Sequence, residues 1–192
     1  MSRKIFIHVF GCRSSLCEGE YIAGVLKSSG FEITEDINTG YDAAVIVTCS
    51  VTQEADKKCR SAVKRARRVM GNSGILAVCG CWGQSIDKSE AEKLSIDILA
   101  GSKHKDILPH VIASMVEGET DREFTDLRDE HISSESGWEE LEINSPVLHS
   151  RAFMKIQDGC NHFCTYCIIP FLRGRPVSRP RENILNEIRR LI

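Results

Sequence analysis

The sequence has almost no net charge: 25 Lys and Arg against 27 Asp and Glu leave a formal charge of -2. No global basic field therefore exists to hold a nucleic acid by electrostatics alone. It also has no long apolar run. Ile5-Phe6-Ile7-His8-Val9-Phe10 is interrupted by a histidine and is too short for a secretory core or a membrane span, despite the positive start Met1-Ser2-Arg3-Lys4. The histidines, His8, His104, His110, His131, His149 and His162, show no ligand spacing and are given no role. What the chain has in quantity is cysteine, nine in all. Without a leader, that number points to a reducing compartment and metal ligation rather than a disulfide framework, with the cytoplasm as the expected location. With 192 residues, 42% of them hydrophobic, it can bury one real core and at most a small second unit.

Apolar runs alternate with helical periodicity along the first two thirds. Ile5 to Phe10 reads as a strand ended by Gly11-Cys12, and Cys17 to Ser29 as a helix. Phe31 to Ile33 is a short strand, and Ala43 to Thr48 is a continuous apolar run of the kind buried on both faces of a parallel sheet. Ser50-x-x-Gln53 reads as a capping box opening a helix. Ala55, Cys59, Ala62, Val63, Ala66, Val69 and Met70 mark its apolar face, with Lys57, Lys58, Arg60, Lys64, Arg65, Arg67 and Arg68 opposite. A solvated exterior is the plainer account of that basic face; RNA phosphate is the alternative. Ile75 to Cys79 and Ile96 to Leu99 read as strands, Asp87 to Leu94 and Lys105 to Val116 as helices. The predicted fold is α/β, an open parallel sheet with flanking helices, flavodoxin-like or Rossmann-like, over residues 1–117. Residues 118–150, acidic from Glu117 to Glu142 and without periodicity, read as a linker. Residues 151–192 read as a strand from Arg151 to Gln157, a cysteine loop, and a helix from Arg181 to Ile192 with Ile184, Leu185, Ile188 and Leu191 on its buried stripe.

Two groups of cysteines carry chemistry. Cys160, Cys164 and Cys167 stand in a Cys-x3-Cys-x2-Cys pattern, right for one metal site on one loop. Three thiolates leave one corner of a four-iron cluster without a protein ligand, whereas a structural site is normally closed by a fourth. A zinc knuckle with His162 as fourth ligand is the plainer alternative. Cys12, Cys49 and Cys81 each follow a predicted parallel strand, and in open α/β sheets such carboxyl ends share the edge where ligands bind. They could meet as a second cluster site, again one ligand short. Cys59 and Cys79 read as small buried hydrophobes, while Cys17 stays open between the two readings. Glu18 and Glu20 either face the mouth of that site or simply answer the helix dipole.

The loop Asp158-Gly159-Cys160-Asn161-His162-Phe163-Cys164-Thr165-Tyr166-Cys167 resembles that of the radical S-adenosylmethionine enzymes. Together with the strand-end cysteines, it makes the chain similar to the methylthiotransferase family over nearly its whole length. The resemblance implies two [4Fe-4S] clusters, on Cys12, Cys49, Cys81 and on Cys160, Cys164, Cys167, with S-adenosylmethionine on the open iron of the second and Tyr166 near its adenine. It implies an enzyme that adds a methylthio group to carbon 2 of adenosine 37 of tRNA, with an electron donor as partner, no membrane, and a monomeric state. Thr48 to Lys58 and Lys155 to Cys160 are most similar to the branch acting on N6-threonylcarbamoyladenosine. The isopentenyladenosine branch and the branch acting on a ribosomal protein aspartate are alternatives, as is a non-enzymatic iron-sulfur or zinc module. Arg173 and Arg175 are candidates for carboxylate or phosphate contacts, or a solvated basic turn. Ser15, Val47 and Trp82-Gly83 depart from the family's usual residues around the first cluster. A complete (β/α) barrel takes about 200 residues or more, so residues 151–192 are expected to be only its first strand, loop and helix, without turnover on their own.

Overall fold

The computed structural model describes residues 3–129, 132 and 137–192; Met1, Ser2, His131 and part of the acidic stretch lie outside them. Three strands, β1 (Lys4–Val9), β3 (Ala43–Thr48) and β4 (Ile75–Gly80), form the centre of the sheet, and the last two are buried at every position, as strands covered on both faces must be. With β2 (Glu32–Thr34), β5 (Ile98–Leu99) and β6 (Thr125–Asp126) they make a six-stranded sheet in the order β2-β1-β3-β4-β5-β6. Every pairing in it is parallel. The first five strands have the flavodoxin order, whose direction of winding reverses between β1 and β3.

The helices between strands cover both faces. Ile5, Ile7, Val45 and Ala77 pack under α1 (Arg13–Ser28) and α5 (Leu108–Glu117). Phe6, Ala44, Ile46 and Val78 pack under α2 (Gln53–Met70), α3 (Cys81–Ser85) and α4 (Lys88–Lys93). Alternate residues of one strand thus serve opposite layers, as the pleat requires.

Several expectations shift. The first helix begins at Arg13, with Cys12 at its N-cap, so Cys17 lies inside it and not at its start. The second is capped by Thr52, whose hydroxyl accepts from Ala55 N at 3.1 Å, rather than by Ser50. Val69, expected on the apolar face of α2, is 41% exposed. Helix α3 was not foreseen, because five residues offer no periodicity to read.

The described parts of the segment 118–150 make contacts with the sheet and with α1. They supply β6, and Leu141 and Ile143 are buried. Glu20 of α1 accepts from the backbone of Val147 at 2.7 Å and Leu148 at 3.1 Å and from His149 Nδ1 at 2.8 Å. A carboxylate buried at a helix flank is satisfied there by three donors, so the dipole is not its explanation.

Beyond it, the expected strand from Arg151 to Gln157 is reduced to β7 (Gln157–Asp158). It pairs antiparallel with β8 (Val177–Ser178), so the first βα unit of a barrel is not seen. The ladder closes the base of the cysteine loop, which also carries α6 (Ile169–Arg173). In the last helix, α7 (Arg181–Leu191), Leu185 and Ile188 are exposed and Glu187 is buried instead. Arg179, itself buried, pairs with both Glu187 and Glu140. Among the described residues no helix is long and apolar enough to cross a membrane.

Leu76, fully buried in β4, lies between the sheet and α2. Leu76→Ala is expected to lower stability by about 2–5 kcal/mol and Thr52→Ala by about 1 kcal/mol, both read by urea denaturation. A Leu76→Ala loss no larger than that of Thr52→Ala would count against the two-layer core.

Candidate metal centre

Strands β1, β3 and β4 are neighbours, about 4.8 Å apart in the sheet, and run in the same direction. Their carboxyl ends therefore open on one edge. Cys12 follows β1 and caps α1, Cys49 follows β3, and Cys81 follows β4 as the first residue of α3. The first two flank the point where the winding reverses, the usual ligand position in this topology. Gly11 has φ +112, and a Cβ there would lie 2.7 Å from Cys49 Cβ and 3.0 Å from its sulfur. Only glycine lets the Cys12 turn pass so close to Cys49.

Cys12 is exposed, while Cys49 and Cys81 are buried. Burial pushes the Cys12 thiol up, but hydrogen bonds from Ser15 and the charge of Arg173 outweigh it and leave the thiol below its ordinary value. Ser15 Oγ stands 3.7 Å from the Cys12 sulfur. For Cys81 burial dominates and raises the thiol, against the Arg173 guanidinium, whose Nε donates to its sulfur at 3.2 Å. Three other thiols of this half are raised as well. Burial pushes Cys17 and Cys59 up to about 11 and Cys79 up to about 12, so they stay protonated as small core residues. Cys17, left open by the sequence, falls in this class.

Arg173 belongs to a buried ionic network that spacing in the sequence could not reveal. Its Nη1 donates to Glu18 Oε1 at 2.8 Å, Asp158 Oδ1 at 3.1 Å and Ser14 Oγ at 2.9 Å. Lys155 Nζ pairs with Glu18 at 3.0 Å and Asp158 at 2.7 Å, and Lys105 Nζ lies 3.7 Å from Glu18. Burial works against the Glu18 carboxylate, yet Arg173, Lys105 and Lys155 together hold it well below the usual range. Arg173 is thus neither a solvated turn nor open to a ligand carboxylate; Arg175, two residues on, is exposed. Glu18 answers three cations, not the helix dipole.

Asp158 leads into the second cysteine group. Gly159 has φ +76, and a Cβ there would lie 2.2 Å from Arg175 O, while Cys160 N donates to Gly174 O at 3.0 Å. The loop is so closed at its base and turns at Cys164–Cys167, where Cys167 N donates to Cys164 O at 2.9 Å. Cys164 and Tyr166 are exposed, and Phe163 packs edge-on against Phe171.

Among the described residues no three His, Cys, Asp or Glu side chains stand close enough to hold a single metal ion. A four-iron cluster makes another demand, each thiolate binding a separate iron. Three thiols on one edge fit that demand, with a glycine where a side chain would intrude and a buried cation on one sulfur. The departures around them have their own uses. Trp82 fills the core under α2, and Gly83 N donates to Thr48 Oγ1 at 3.1 Å.

A family model described as uncharacterized protein family UPF0004 matches residues 4–101, the sheet that carries Cys12, Cys49 and Cys81. The chain belongs to this family. It is 32% identical to a tRNA-2-methylthio-N(6)-dimethylallyladenosine synthase of Parabacteroides distasonis over 97% of this chain and 40% of that protein. Proteins of the same name from Bacteroides fragilis, 30% identical over 100% of this chain and 41% of theirs, and Zymomonas mobilis, 32% over 99% and 41%, are also similar. The UPF0004 chain therefore spans about two fifths of the length of these relatives, and the likeness to methylthiotransferases extends across both cysteine groups. The relatives are named for the dimethylallyl nucleoside, not for the threonylcarbamoyl one of the sequence reading.

Glu18→Gln is expected to cost about 3–5 kcal/mol by leaving buried cations short of a partner, measured by urea denaturation at pH 7. Because the folded-state pKa of Glu18 is depressed, its contribution is present above the ordinary glutamate value of about 4.3 and is lost as pH falls through the folded one. The acid side of the stability profile should thus be steeper in the wild type than in Glu18→Gln; parallel profiles would contradict the network.

Proposed function

We propose that this chain is the N-terminal part of a tRNA methylthiotransferase, with an auxiliary four-iron cluster on Cys12, Cys49 and Cys81 and a radical S-adenosylmethionine cluster on Cys160, Cys164 and Cys167. The observation that carries the reading is the gathering of the first three cysteines at neighbouring carboxyl strand ends, at the reversal point of the sheet. The names of the relatives support tRNA as the substrate. With S-adenosylmethionine bound, the second cluster would supply the radical that takes hydrogen from carbon 2 of the adenine, and the first the sulfur.

The protein's own residues hold and shield these groups. Residues 1–117 form the unit around the first cysteines, 118–150 connect, and 151–192 begin the radical domain. Tyr166, 90% exposed on the loop, is offered to the adenine of S-adenosylmethionine. An electron donor and the tRNA are the partners, the protein acts as a monomer in the cytoplasm, and residues 1–192 alone give no turnover.

On the substrate, the relatives' names support N6-dimethylallyladenosine, and that is the first reading. The stretches from Thr48 to Lys58 and from Lys155 to Cys160 favour N6-threonylcarbamoyladenosine as the second.

Mass spectrometry of tRNA nucleosides from cells lacking the full-length gene is expected to show the 2-methylthio form lost and N6-dimethylallyladenosine accumulating. Loss from the threonylcarbamoyl nucleoside would select the second reading, and no loss from either would overturn both. Triple Ala replacement of Cys12, Cys49 and Cys81 should remove about half of the reconstituted iron; unchanged iron would eliminate the auxiliary site.

A further inference from the structure

The cysteine groups are 148 residues apart from Cys12 to Cys160 in sequence, yet one side chain touches a cysteine of the first and the residue two before the second. The Arg173 side chain is 4% exposed. Its two outer nitrogens grip Glu18, Nη1 to Oε1 at 2.8 Å and Nη2 to Oε2 at 3.3 Å, which leaves Nε–H aimed at the Cys81 sulfur at 3.2 Å. Nη1 also meets Asp158, two residues before Cys160, and the next residue, Gly174, accepts from Cys160 N.

Among the described residues, the charges within ion-pair reach of one another are two carboxylates, Glu18 and Asp158, and three cations, Lys105, Lys155 and Arg173. Glu139 is near but accepts from the backbone of Lys105 and Asp106 instead. Among the described residues one positive charge is left without a carboxylate in this network, and the further acceptor held by Arg173 Nε is the Cys81 sulfur. A lysine could supply the charge but not the planar fork that holds Glu18 and the sulfur at once.

We infer that Arg173 is a positioning residue for both cysteine groups: through Nε it draws electron density from the Cys81 sulfur, and through Nη1 on Asp158 it braces the base of the Cys160 loop. The inference rests on the reading that Cys81 holds the auxiliary cluster. Hydrogen bonds to cluster sulfurs and nearby charge set reduction potential, so this role is separable from a merely structural brace.

The test uses the full-length protein with Cys160, Cys164 and Cys167 replaced by Ala, reconstituted anaerobically so that only the strand-end cluster is present, and titrated by EPR. Arg173→Lys and Arg173→Gln are expected to keep the iron and shift the potential downward, while Ser14→Ala, which removes another partner of the same guanidinium, leaves it in place. Full iron with an unmoved potential in both Arg173 variants overturns the inference. Should neither variant fold, the unsubstituted Arg173 protein labelled with 15N-arginine decides: pulsed EPR of the reduced cluster shows a 15N coupling if Nε–H meets its sulfur, and the absence of coupling overturns it. Absence of iron at the strand ends would instead overturn the auxiliary-cluster reading, and this inference with it.

Discussion

The constraint on which the structure turns is the parallel pairing of β1, β3 and β4. Three strands running the same way must end on the same side, and each must be followed by a crossover helix on one face or the other. Here the helices α1 and α2 cover opposite faces, and the edge between them, where Cys49 and Cys81 are buried, meets Arg173 of the loop segment. Residues far apart in the sequence are delivered to that edge without long side chains, and cysteine, the shortest strong metal ligand, suffices. The core has to be apolar on both faces to permit this, which is why β3 and β4 are buried throughout.

A buried ionic network lies beside this edge, and it is not explained by stability. Transfer of ions from water to a protein interior costs several kcal/mol each, and a well-packed apolar substitute is often as stable. What the network does provide is direction. Glu18 comes from α1, Lys105 from the turn before α5, and Lys155, Asp158 and Arg173 from the segment around the Cys160 loop. Charges on three parts of the chain pair with one another, so the base of the loop is tied to α1 and to the turn before α5. Apolar packing alone would tolerate slippage there.

The sheet was legible because buried parallel strands leave continuous apolar runs, and the edge cysteines because each follows such a run. The rest was less so, for physical reasons. The strand β6 is two residues long and hydrophilic, so an acidic stretch that actually adds to the sheet looks like a linker. The face of α7 was misread because Leu185 and Ile188 were assumed to seek the core, whereas Glu187 is the buried residue, paired with Arg179. Arg173 was read as solvent-facing or ligand-facing because its partners, Glu18 and Asp158, share no period with it. Periodicity reports burial of apolar groups along one element; it says nothing of charges meeting across elements.

The thiols of the N-terminal half fall into two classes by environment rather than by number. Cys59 and Cys79 lie on opposite faces of the sheet, inside the packed layers, where no cation contact offsets burial enough to bring the thiolate into reach. Cys12 lies at the edge, where Ser15 and the Arg173 guanidinium outweigh burial and lower its thiol, while at Cys81 the same guanidinium opposes burial without overcoming it. A thiolate is what binds a metal. The same fold therefore places some cysteines inside packed layers and others at an edge beside one buried cation, so a sequence rich in cysteine need not give all of them the same surroundings.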